Sequence, residues 1–161
     1  MKKIYKFGFM ILLIGQIANA QMSFNINEDN LYSDLSVKIG KNVLYSDLSV
    51  KIGSNVLYSD FSVGITEDKT KADFIISESL YSDYKIRAGK DVLYSDISIK
   101  AGKDVLYSDI TIKIKKTGTI KYLIYTEKDF PALQDIVIVL LPAINYHLDF
   151  KYEKLNELFK K

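Results

Sequence analysis

The chain has 161 residues, of which 48% are hydrophobic and 26% charged, with 8 Gly, 2 Pro, one His, no Cys and a net charge of +2. That apolar content, with so little Pro and Gly, excludes a disordered chain. The lack of Cys excludes a disulfide framework, thiol catalysis, a Cys-ligated metal and a lipid anchor through Cys.

Residues 1–20 read as a secretory signal peptide. Lys2, Lys3 and Lys6 form a basic start, Phe7 to Ile14 an apolar run, and Ala18-Asn19-Ala20 a small-x-small cleavage site before Gln21. The apolar run is well short of the roughly 20 residues that cross a bilayer. After cleavage, 19 basic residues face 20 acidic ones, a net charge of −1. That removes the bulk electrostatic case for nucleic acid or an anionic membrane, and no stable membrane insertion is expected. About 140 residues remain, enough for one domain with a real core.

Leu31-Tyr32-Ser33-Asp34 opens a repeat. The same four residues recur at Leu44–Asp47, Leu57–Asp60, Leu80–Asp83, Leu93–Asp96 and Leu106–Asp109. Aligned on the small residue before Asp, the units start at Ser33, Ser46, Ser59, Ala72, Ser82, Ser95 and Ser108, thirteen apart except for one step of ten. Ala72-Asp73 is thus a seventh unit without Leu-Tyr. Repetition at a fixed period means one small structural unit used many times. In each, an alternating run such as Leu35/Val37/Ile39, Leu48/Val50/Ile52, Phe61/Val63/Ile65, Ile97/Ile99/Ala101 or Ile110/Ile112/Ile114 predicts a half-buried strand. Gly40-Lys41-Asn42, Gly53-Ser54-Asn55, Gly89-Lys90-Asp91 and Gly102-Lys103-Asp104 read as turns that use positive φ. Val43-Leu44-Tyr45 then resumes an extended path, so the unit reads as strand, Gly turn, short strand, Ser-Asp turn. Thirteen residues are too few for a helical crossover between parallel strands. Because the period is odd, the turns must also reset which face each strand buries. Phe24 and Ile26 suggest an opening strand, and Ile120 to Tyr125 a closing one.

From Asp129 the repeat ends. Asp129-Phe130-Pro131 resembles a helix start. Residues 132–141 read equally as a helix or as a buried strand around Ile136–Val139, and Pro142 ends or kinks either. Tyr152 to Lys161 places Leu155, Leu158 and Phe159 on one helical face, as expected of a short helix covering the β body. The domain organisation is a signal peptide at 1–20, a β-repeat domain at 21–128 and a helical or mixed tail at 129–161. The fold class is mainly β, a compact winding of seven thirteen-residue strand–turn repeats with a short C-terminal helical tail.

Units of thirteen with Ala-Asp or Ser-Asp before an alternating strand resemble a family of small bacterial β-repeat proteins of unknown function, some named for a septoil knot. The stretch Glu67-Asp68-Lys69-Thr70-Lys71-Ala72-Asp73-Phe74-Ile75-Ile76-Ser77-Glu78-Ser79 carries the resemblance best, over roughly Ser33 to Tyr125. It implies a compact β fold, open to being knotted, and no known activity. The Leu-Tyr-Ser-Asp wording and the tail depart from the family's pattern and leave the winding open.

Four columns come from the alignment. Asp34, Asp47, Asp60, Asp73, Asp83, Asp96 and Asp109 are unbroken; they suit a calcium ladder or, better, seven caps, each on its own turn. Lys38, Lys51, Arg87, Lys100 and Lys113, interrupted at Gly64 and Ser77, suit an anionic polymer or a solvated face that keeps strand edges from pairing. Ser36, Ser49, Ser62, Ser98 and Thr111 read as a solvated sheet face. Tyr32, Tyr45, Tyr58, Tyr81, Tyr94 and Tyr107 suit a sugar platform or half-buried strand positions with the hydroxyl at the rim. His147, alone and beside Tyr146 and Leu148, reads as a packing residue. No catalytic, cofactor-binding or metal-ligating residue is singled out, and no cofactor is implied. The expectation is an exported, periplasmic or extracellular protein without enzymatic activity, structural or interacting with an envelope polymer or protein. The alternative is a carbohydrate- or calcium-binding module using the Tyr or Asp columns.

Overall fold

Each of the seven repeat Asp residues stands directly before a strand. The computed structural model describes residues 21–29, 32–127, 133–147 and 155, with side chains given for all of these but 146 and 147. The strands are β1 (Met22–Asn27), β2 (Leu35–Gly40), β3 (Leu48–Gly53), β4 (Phe61–Ile65), β5 (Phe74–Ile76), β6 (Tyr84–Gly89), β7 (Ile97–Gly102), β8 (Ile110–Ile114) and β9 (Tyr122–Thr126). The seven repeats thus supply β2 to β8, and the opening and closing strands complete the set. The cleavage site, the Asp129-Phe130-Pro131 start, and Leu158 and Phe159 lie outside the described residues, as does the side chain of His147.

The nine strands are all parallel and close into a barrel in the order β1-β5-β9-β4-β8-β3-β7-β2-β6. Each next strand in sequence sits two positions further round, so the chain circles the barrel nearly twice and its two windings interleave. Parallel strands ordinarily need a long crossover, commonly a helix. Here stagger replaces it. Ile39 of β2 and Leu48 of β3 both pair with Ile99 of β7, so β3 starts level with the end of β2. Two strand spacings, about 10 Å, are then all that the connection 41–47 must bridge.

Each connection passes over the outer face of the strand it skips. Connection 41–47 meets β7, where the Ser98 hydroxyl donates to the Tyr45 carbonyl at 3.5 Å. Connection 103–109 meets β3, where Ser49 donates to the Tyr107 carbonyl at 3.0 Å. Connection 77–83 meets β1, where the Asn25 amide donates to the carbonyls of Glu78 and Ser79. The windings therefore pass alternately under and over one another.

This geometry removes the expected second strand of the unit. Residues 43–45 and their counterparts form turns and bends, not strands. The wall beneath already uses its backbone groups on both neighbours, so a segment laid across it finds no ladder to join. The expected glycine conformations also differ. Gly40, Gly53, Gly89 and Gly102 keep negative φ, and positive φ falls on Gly118, Tyr45 and Tyr94. At Gly40 the lack of a Cβ serves close approach instead, since a Cβ would sit 3.1 Å from the Val43 side chain.

The alternating positions point inward and are buried, including Val37, Val50, Val63, Ile99, Ile110 and Ile112 at full burial. Phe24, Phe74, Tyr84, Phe61 and Tyr122 form a chain of ring contacts with centroids 5.5–6.1 Å apart. These rings come from five consecutive strands, β6-β1-β5-β9-β4, and fill that side of the interior. The other four strands, β8-β3-β7-β2, bury aliphatic side chains only, Val37, Val50 and Ala101 among them. The stretch that reads equally as helix or strand is helical in its described part, from Leu133. Helix α1 (Leu133–Val139) packs against β2 and β3, and α2 (Leu141–His147) follows after a break at Leu140. Pro142 stands at that break, where a residue without an N–H is tolerated. Residues 136–141 are all buried, round the whole circumference of the helix, and share one core with the barrel wall. A helix apolar on every side has to be enclosed. It lies within the barrel rather than against its outside. Leu155, also helical, is buried in the same core.

Candidate functional site

The outer surface is organised by the Asp column. Asp96 donates its backbone N–H to the Ser36 carbonyl at 3.0 Å, and its Oδ2 accepts from the Ser36 N–H and hydroxyl, both at 2.8 Å. Asp109 does the same with Ser49, and Asp47 with Ser98. Asp83 takes the N–H and hydroxyl of Ser23 at 2.8 and 2.7 Å. Asp34, Asp60 and Asp73 bond the N–H groups of Lys85, Thr111 and Leu123 at 2.7–2.8 Å. Every partner is the second residue of a neighbouring strand. The expected caps on local turns are therefore long-range staples, with partners 50 to 60 residues away in sequence. The Ser column is correspondingly not a plain solvated face. Ser36, Ser49 and Ser98 hold Asp carboxylates, while Ser62, buried under a connection, accepts from the Lys121 N–H at 3.1 Å. Ala72-Asp73 staples like the others, which explains how the fourth unit keeps frame without Leu-Tyr.

Asp96→Ala removes an ionised acceptor of two hydrogen bonds. A stability loss of about 1–2 kcal/mol is expected, below the upper range for charged hydrogen bonds because the site is exposed. Chemical denaturation checks it, and an unchanged midpoint would refute the staple. Asp83 adds a pH dependence. The Ser23 N–H and hydroxyl stabilise its carboxylate and hold its pKa below the ordinary value. A lowered folded-state pKa gives stability that is complete above the unfolded Asp value, about 4, and lost as pH falls through the folded one. The melting temperature should therefore fall below pH ~4, and Asp83→Asn should flatten that fall.

The basic column is outward-facing and contiguous. Arg87, Lys38, Lys100, Lys51 and Lys113 lie on β6, β2, β7, β3 and β8, five neighbours in that order. The idea that these cations protect strand edges fails, because a closed barrel has no edge. The interruption at Gly64 has a packing cause. The connection 115–121 presses on it, and a Cβ there would lie 2.7 Å from Ile120 and 2.9 Å from the Lys115 carbonyl oxygen.

The Tyr column departs most from expectation. Tyr32, Tyr45, Tyr58, Tyr81, Tyr94 and Tyr107 are 90–100% exposed, and none occupies a strand. The Leu residues preceding the last five are 68–88% exposed. Of each Val-Leu-Tyr triplet only the Val turns inward, buried at Val56 and Val92. The connections that carry Leu-Tyr cross β8, β3, β7, β2, β6 and β1, one unbroken run of six strands. The two connections without it, 66–72 and 115–121, cross β9 and β4 on the opposite side. That side is instead tied by an ion pair between Lys69 and Glu127 at 2.8 Å, supported by the Ser77 hydroxyl at 2.6 Å. The pair lowers the pKa of Glu127 and raises that of Lys69.

Within the Leu-Tyr run, Tyr45 and Tyr94 have φ of 56° and 53°. A bulky residue held there is strained by the order of 1 kcal/mol or more. Their connections cross β7 and β2, the two central strands of the run. The spacing of the repeat pointed to the Tyr column; its exposure and strain, and the missing edge, depend on the closed winding.

Among the described residues no group of three or more His, Cys, Asp or Glu is placed to hold a metal ion, and no helix is long and apolar enough to cross a membrane. No protein-family model matches the chain, and neither does any curated protein or solved structure.

Proposed function

We propose that this chain is an exported, non-enzymatic interaction protein of the cell envelope or exterior, and that the Leu-Tyr connections are its contact face. One observation carries this reading: the six repeat Tyr side chains are nearly fully exposed over six neighbouring strands of the nine, while two connections of the same winding dispense with them. The fold does not need these residues, and large apolar side chains repeated in the open mark contact with something else. The resemblance of Ser33–Tyr125 to the septoil-knot family, carried by the Ala-Asp and Ser-Asp units, is proposed on the same footing.

Fractionating cells that express the full chain tests the reading. The expected product begins at Gln21, is exported and stays with the envelope or matrix fraction. Leu44→Ser, Leu57→Ser, Leu93→Ser and Leu106→Ser together should release it without lowering its melting temperature. An uncleaved cytosolic protein would overturn export, and full retention of the variant would overturn the contact face. The alternative of carbohydrate binding through the Tyr column is favoured by the exposure of all six Tyr rings. It predicts loss of glycan retention on replacing Tyr rather than Leu.

A further inference from the structure

We infer that Gln21, once removal of residues 1–20 makes it the first residue, closes on itself to pyroglutamate, so that the exported protein starts with a lactam in place of an α-amine. The inference rests on the reading of residues 1–20 as a signal peptide and adds a modification to the residue that its removal releases.

The sequence supplies both reacting groups. Ala18-Asn19-Ala20 places the cut directly before a glutamine. Cleavage gives that residue an α-amine beside its own side-chain amide. An α-amine titrates close to neutral pH, so a useful share of it is the uncharged nucleophile. Holding nucleophile and carbonyl in one residue makes the attack intramolecular. The α-nitrogen bonds to Cδ, and the ring formed has the size of the proline ring. The bond from Cδ to Nε2 breaks, and Nε2 leaves as ammonia with a proton from the α-amine. The step is neither an oxidation nor a reduction and takes no co-reactant.

The structure presents Gln21 for this step. Strand β1 begins at Met22, one residue after the cut. The Met22 N–H donates to the Asp73 carbonyl at 3.3 Å, and Met22, Ser23 and Phe24 pair with Phe74, Ile75 and Ile76 of β5. A residue held in that ladder cannot fold its α-nitrogen back onto its own side chain. Gln21 stands outside the strand and is exposed. Its Nε2 donates to the Lys69 carbonyl at 2.9 Å, so the amide nitrogen that leaves is the one engaged. Lys69 and the nearby Lys71 are each paired with an acid, Glu127 and Asp68. Ring closure removes the charge of a third cation from beside these two pairs. It also seals the end of the chain. Proteolysis concentrates at loose termini. A lactam backed at once by the barrel wall offers an aminopeptidase neither a free amine nor a loose end.

The experiment is mass spectrometry of the exported protein, purified from cells that express the full chain and measured at harvest. The expected product spans residues 21–161 and is lighter than that chain by one ammonia, with the loss placed on the first residue by fragmentation. It should resist Edman degradation. Gln21→Ala should be cut at the same point, keep its full mass and sequence normally. A non-specific aminopeptidase should remove the first residue of this variant and nothing from the wild type. A wild-type product that starts at Gln21 with full mass and a free amine overturns the inference and leaves the export reading standing. Full mass at harvest that falls only on storage overturns it as well. A product that keeps residues 1–20, or that starts elsewhere, overturns the cleavage reading and the inference together.

Discussion

Val137→Asp is expected to abolish folding, although Val137 lies in the short tail and not in the repeat. Val137 is fully buried in α1 and belongs, with Ile136, Ile138 and Leu140, to the core shared with the inward side chains of the wall. Among the described residues no charged side chain is buried, so an ionised carboxylate there loses its hydration without a counter-charge. The cost, several kcal/mol, is comparable with the total stability of about 5–15 kcal/mol expected of a domain. Circular dichroism of the purified variant should show loss of the strand signal at every temperature, or the protein should be recovered only from aggregates. Ile138→Val, which removes one methyl group from the same helix, should cost only about 0.5–1.5 kcal/mol. If Val137→Asp folds with a modest loss, the helix lies on the barrel and not inside it.

Gly64→Lys is the second. On the pattern of the repeat this substitution is conservative, because it continues the basic column from Lys51, and in the barrel it would extend the column one strand beyond Lys113. In the structure it is forbidden. A Cβ at 64 would meet the Lys115 carbonyl oxygen at 2.9 Å and the Ile120 side chain at 2.7 Å. The carbonyl belongs to the backbone of the crossing connection and cannot swing away. Lifting that connection would also break the bond from the Lys115 N–H to the Val63 carbonyl. The expected loss is about 3 kcal/mol, at the upper end of typical overpacking costs. Lys51→Gly should cost well under half as much, being limited to the backbone entropy of a strand glycine, about 1 kcal/mol. A chemical denaturation series on the two variants separates them. Equal midpoints would show that connection 115–121 does not press on β4.

Much of this was legible in the residues. Alternation at Leu35/Val37/Ile39 and its copies located the strands and their inward faces, because a period of two admits one buried face. The small residue before Asp marked each strand start, including the disguised start at Ala72-Asp73. Other features were not legible, for reasons that can be stated. The Asp partners are 50 to 60 residues distant, and a local reading assigns a local cap. The Tyr residues have strong strand propensity, and only the absence of any free ladder outside the wall keeps them out of strands. At 136–139 four consecutive apolar residues fit a helix or a strand equally until the enclosing barrel supplies burial on all sides.

By itself, then, the sequence determined a mainly β chain of equal units, the strands and their buried faces, and the absence of thiol chemistry. These follow from side-chain periodicity and composition, which need no knowledge of partners. The tertiary structure decided the parallel closed barrel, the enclosed helix and the sorting of Leu-Tyr and cations onto one side. Those depend on stepping two positions round a ring of nine strands. Residues distant in sequence become neighbours only when the ring closes, and only then does the outer surface have sides.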